Sequence, residues 1–151
     1  MLSKIPQDYK VACYSETDVS LMLEMIPEDE TLDRWTEMLT IQVMRNIKGY
    51  TLASFYADMK EGWANMFPSG STEIVERGRE QLHPTIYWKS RCPLNQRTGK
   101  PEYTWFKALI RGGSVVVAQK AFKFDPCDED VAFWIDYLRE LRVNYKLKAR
   151  H

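Results

Sequence analysis

The sequence predicts an α+β fold: a largely antiparallel sheet of about six or seven strands, packed by two main helices over residues 51–67 and 126–141. Three observations carry this. Period-two alternation of apolar and polar residues recurs in several separate segments. Two long β-rich runs meet at Gly112-Gly113. Two stretches place apolar residues at helical spacing, one after Thr51 and one after Asp125-Pro126.

The elements follow in order. Tyr9 to Tyr14 reads as a first strand, and Val19, Leu21, Leu23 and Met25 alternate as a second that Pro27 stops. Residues 31–35 read as a short helical turn. Residues 36–45, with β-branched Thr40, Ile41 and Val43, read as a strand. Leu52, Phe55, Met59, Trp63 and Met66 make one apolar helical stripe, opened by Thr51 as a cap and ended by Pro68 and Gly70. Gly62 inside that stripe suggests close packing. Four strands are expected at about 72–81, 85–91, 102–111 and 114–124, with His83-Pro84 between the first two and a loop from Pro93 to Pro101 between the next. Glycine reaches the positive φ of a tight hairpin without a Cβ clash, so the turn belongs at Gly112-Gly113. Ile110 then faces Val115, Ala108 faces Val117, and Phe106 faces Gln119. The opposite face carries Trp105, Leu109, Val116 and Phe122, so both faces of the sheet need cover. Asp125 reads as the cap of the last helix and Pro126 as its first residue, with Val131, Trp134, Ile135, Leu138 and Leu141 as its buried stripe. The tail from Lys146 to His151 is basic and expected to fray.

Composition sets limits. The 151 residues suit a single domain over 1–151, and 44% hydrophobic content provides a sizeable core. No apolar run approaches the ~18 residues of a membrane span. Lysine plus arginine and aspartate plus glutamate both number 21, and that balance argues against a nucleic-acid binder. The charge is uneven, however: residues 1–40 hold nine acidic and three basic side chains. Cys13, Cys92 and Cys127 have no metal or redox spacing and read as free thiols. No apolar stretch of signal-peptide length opens the sequence, which suggests the cytoplasm; a periplasmic or secreted setting follows if an export signal lies outside this sequence.

The run from Pro27 to Gln42, PEDETLDRWTEMLTIQ, resembles a motif of small uncharacterised bacterial proteins in which a Pro, a Gly/Glu-Glu-Thr, a Trp and a Thr-x-Gln strand follow one another. Phe106-Lys107-Ala108 and Val117 to Phe122 are similar to that group as well. The resemblance implies a PsbP/DcrB-like α/β sandwich and often an exported or lipid-anchored protein. It supplies no catalytic residues.

No constellation in the sequence points to catalysis. His83 is the only internal histidine and has no nucleophile elbow to serve. His83 with Cys92 across adjacent strands, and Glu28-Asp29-Glu30, fall short of metal-site patterns, so neither metal nor cofactor is expected. Glu76 and Glu80 share a strand face, for which salt bridges are the simpler account than a glycosidase pair. The aromatic surplus, 13% of residues, suits a groove or an interface. It coincides with basic residues on the 85–111 hairpin. Trp88, Lys89, Arg91, Tyr103, Trp105 and Lys107 are therefore the candidate binding residues of a non-enzymatic module for a protein partner. The alternative is a small enzyme or ligand carrier with a cleft between sheet and helix near His83.

Overall fold

The computed structural model describes residues 2–145; the basic tail lies outside the described residues. Seven strands form one antiparallel sheet in the order β1-β2-β3-β7-β6-β5-β4. They are β1 Tyr9–Glu16, β2 Ser20–Pro27, β3 Glu37–Met44, β4 Ser71–Glu80, β5 His83–Asn95, β6 Lys100–Arg111 and β7 Ser114–Phe122, with α1 Leu52–Met66 between β3 and β4 and α2 Asp128–Glu140 after β7. Two meanders are thus joined by α1, and β7 closes the second against β3 of the first. β1 and β4 are the edges.

Each face has its own core. One places Ile86, Trp88, Phe106, Ala108, Val115 and Val117 under Phe55 of α1. The other places Leu23, Ile41, Leu109, Val116 and Phe122 under Trp134, Tyr137 and Leu138 of α2. The β6–β7 hairpin has the register its alternation predicts: Ile110 opposite Val115, Ala108 opposite Val117, Phe106 opposite Gln119. Gly112 and Gly113 have φ of 59° and 75°, the conformation a two-residue hairpin with right-handed twist requires.

The short turn expected at 31–35 is present, closed by the Arg34 amide on the Thr31 carbonyl at 3.0 Å. Several other expectations are corrected. The β4–β5 turn is Gln81-Leu82, with Gln81 at φ 56°, and His83-Pro84 begin β5. Proline is tolerated there because pairing with β6 starts only at Thr85, so no ladder bond is lost on that side. β5 and β6 run on through Pro93 and Pro101, with an irregularity between Cys92 and Asn95 absorbing the first proline. Thr51 caps α1 through Ser54 as expected. The cap of α2 is Cys127 and not Asp125, because residues 123–127 carry the chain from sheet to helix layer before Asp128, Glu129 and Asp130 fill the first turn. Gly62 faces open space; Gly70 is the close approach, since a Cβ there would stand 2.7 Å from the Arg91 carbonyl and 2.8 Å from the Trp63 indole nitrogen.

Candidate binding groove

The six residues singled out in the sequence divide between different places. Trp88 is 1% exposed and stacks on Phe106 at 4.7 Å beneath α1, on the opposite face from the others. Lys107 is buried on the α2 face, where its Nζ donates to Glu80 Oε1 and to the Leu141 carbonyl, both at 2.8 Å. Burial lowers its pKa, and the Glu80 hydrogen bond opposes that. Arg91 is exposed, and its Nε donates to Ser71 Oγ at 3.2 Å. Lys89, Tyr103 and Trp105 do converge: Lys89 lies opposite Trp105 and Arg91 opposite Tyr103 across β5–β6. The Lys89 Nζ stands 5.3 Å from the Trp105 ring centroid.

These three form the floor of an open groove of about 460 Å³. One wall is Glu73, Ile74 and Val75 of the edge strand β4. The other is Asp125, Pro126, Asp128, Val131 and Ile135 at the start of α2. Local sequence explains the first wall. The β4–β5 register shifts between Ile74 and Glu76, leaving Val75 as an extra residue without a partner. Glu76 then lies opposite Tyr87 on the α2 face and reaches Arg139 of α2 at 2.5 Å, tying helix to edge strand below the groove. The adjacent pair Ile74-Val75 between two glutamates was the available signal for the bulge: Ile74 lies opposite Trp88 on the α1 face and Val75, 41% exposed, is the extra residue at the groove. The groove contains an aromatic floor, aliphatic sides, one ammonium and a carboxylate rim.

Other features are accounted for within the fold. A hollow of about 490 Å³ lies between the end of α1 and the β5–β6 loop, where Asn95 donates to Glu102 at 3.1 Å and Cys92 Sγ to the Leu94 carbonyl at 3.2 Å. A small recess of about 10 Å³, room for one water, adjoins Glu80 and Lys107. Glu76 and Glu80 both serve ion pairs, Glu80 with Lys107 at 2.8 Å and Arg142 at 3.3 Å. His83 and Cys92 lie nine residues apart along one strand, roughly 30 Å, and do not meet. None of these three cavities includes His83.

The sequence reading missed Lys120. It is 0% exposed, its Nζ donates to Glu37 Oε1 at 2.7 Å, and it lies 4.1 Å from the ring centroids of both Phe122 and Trp134. Burial pushes its pKa down to about 8, against the pull of Glu37. Alternation places it on the same face as Val116, Ala118 and Phe122, and this was the signal for its burial.

No family model and no curated protein matches the sequence. The fold is similar to the solution structure of cyanobacterial PsbP (CyanoP) from Synechocystis sp. PCC 6803, with a TM-score of 0.54 and 11% identity over 94% of this chain and 96% of that one. The chain therefore has a PsbP-like α+β fold. At that identity the likeness extends to the fold and assigns no role to any residue.

Proposed function

We propose that this chain is a non-enzymatic binding module of a bacterial type, and that the groove between β4 and α2 is where it holds a protein partner. The observation that carries the reading is the convergence of Lys89, Tyr103 and Trp105 on one floor beside the exposed Val75. Aromatic anchors surrounded by aliphatic and charged groups are the usual composition of a protein-binding surface. The sheet edge at β4 adds unpaired backbone groups along the same wall. Cys127 is an exposed free thiol, which suits the reducing cytoplasm.

The test is affinity capture from the native host with the full chain as bait. A partner retained by the wild type and by Leu82→Ser, a change at a remote hairpin tip, should be lost from Val75→Asn and Val131→Arg. Capture unchanged by both groove variants, with both folded by circular dichroism, would move the binding surface elsewhere. The His83 alternative is tested in the same assay, because a host phenotype lost in a folded His83→Ala variant contradicts the module reading.

A further inference from the structure

We infer that the groove selects a partner segment combining basic with apolar side chains, and not the acidic partner that Lys89, Arg91 and Lys107 suggest in the sequence. This rests on the groove being the binding surface. Three carboxylates line it, Glu73 from β4 and Asp125 and Asp128 from the entry to α2, against a single cation, Lys89. None of the three forms an ion pair among the described residues, whereas Glu76 on the same strand is held by Arg139.

Lys89, opposite Glu73 across β4–β5 and 5.3 Å from the Trp105 ring centroid, is one cation set against three carboxylates, which leaves the rim at Asp125 and Asp128 negative. Arg91 points to Ser71, outside the lining, and Lys107 is enclosed with Glu80. The basic side chains that marked the hairpin in the sequence are therefore mostly absent from the surface a partner would meet. Helix capping explains one carboxylate only. Asp128 sits in the first turn of α2, where negative charge is favourable, but Glu73 and Asp125 lie outside the helix and on different segments.

The walls are aliphatic at Val75, Val131 and Ile135, and the floor is aromatic at the half-buried Tyr103, with Trp105 only 6% exposed below it. A lysine or arginine can lay its methylene stem along such a surface and present its head to a rim carboxylate, while a neighbouring aliphatic or aromatic residue of the same segment enters the groove. Charge complementarity of this kind governs partner choice and association rate.

The experiment presents the immobilised full chain with a displayed library of random short peptides, then titrates the best synthesised peptide. Enriched sequences should be net positive with at least one aliphatic or aromatic residue. The selected peptide should bind several-fold more weakly to Glu73→Gln and to the Asp125→Asn/Asp128→Asn double variant, and more weakly again as salt shortens the screening length toward about 8 Å. Val75→Asn should weaken it without changing the salt dependence. Glu73→Gln, on the sheet wall, controls for any loss of helix stability in the double variant. Failure to enrich any peptide overturns the inference, as does equal affinity for the carboxylate variants. Enrichment of acidic peptides that still depend on Val75 also overturns it while leaving the groove as the binding surface. Enrichment indifferent to Val75 and Val131 alike removes both readings.

Discussion

Lys120 and Lys107 set the sign of the pH response. Lys120 has a folded pKa of about 8 against an ordinary 10.5, so below pH 8 both folded and unfolded chains carry its proton and the cost of burying the charge is fully present. Between those values the unfolded chain holds the proton that the folded chain has released, and stability rises with pH. Lys107 is shifted in the same direction. Tyr137, pushed up to about 12 by burial, acts oppositely once the pH passes 10, so the rise is confined to the window between 8 and 10. Urea midpoints measured across that window should increase for the wild type. Lys120→Met should flatten most of the rise, and Glu37→Gln should lower stability at neutral pH and begin the rise earlier, because the group that holds the charge is gone. A midpoint falling from pH 8 to 9.5 contradicts this account. Lys107→Met should destabilise the fold by less than the about 3–5 kcal/mol of leaving a buried charge alone, since Glu80 loses its nearest cation but keeps Arg142 at 3.3 Å and Arg111 at 3.9 Å. Charge reversal as a test of the binding surface therefore belongs at Lys89, while reversal at Lys107 tests the fold.

At the scale of elements, the β6–β7 hairpin and α2 are the parts to test. Both turn glycines have positive φ, which β-branched residues resist, so Gly112→Val with Gly113→Val should lower the urea midpoint measurably. Unchanged stability would show that the turn relaxes freely. Trp134 is 7% exposed and packs on Tyr137 and Lys120, so Trp134→Ala should cost about 3–5 kcal/mol, as large core truncations do; a loss under about 1 kcal/mol would mean that α2 is not docked through this residue. These elements were legible because their signals are local: a glycine pair between alternating runs, and an apolar stripe at helical spacing. The β4–β5 turn was not. Gln81 adopts positive φ without being glycine, and the visible punctuation, His83-Pro84, belongs to the strand that follows. The start of α2 was displaced for a similar reason, since Asp125-Pro126 has cap chemistry but lies in the crossing segment.

At the scale of the whole molecule, the alternating strands foretold a sheet covered on both faces, and the PsbP-like fold agrees. The candidate site was half legible. Lys89, Tyr103 and Trp105 meet, but Trp88 and Lys107 are internal, because composition counts aromatic and basic residues without assigning them to faces or to partners two strands away. The negative N-terminal region follows the same lesson: Glu37 holds Lys120 at 2.7 Å and Glu16 holds Arg45 at 3.1 Å, so part of that charge works inside the fold. The wall at Val75 depends on a register shift that is visible only when β4 pairs with β5.

The central claim, that partners meet this protein at the groove between β4 and α2, is tested most directly by photo-crosslinking in the native host. A benzophenone side chain would be placed at Val75 on the groove wall or at Tyr56 on the helix of the other face, one variant at a time. The account predicts a discrete crosslinked partner from Val75 and none from Tyr56. A partner captured from Tyr56 and absent from Val75 would contradict it.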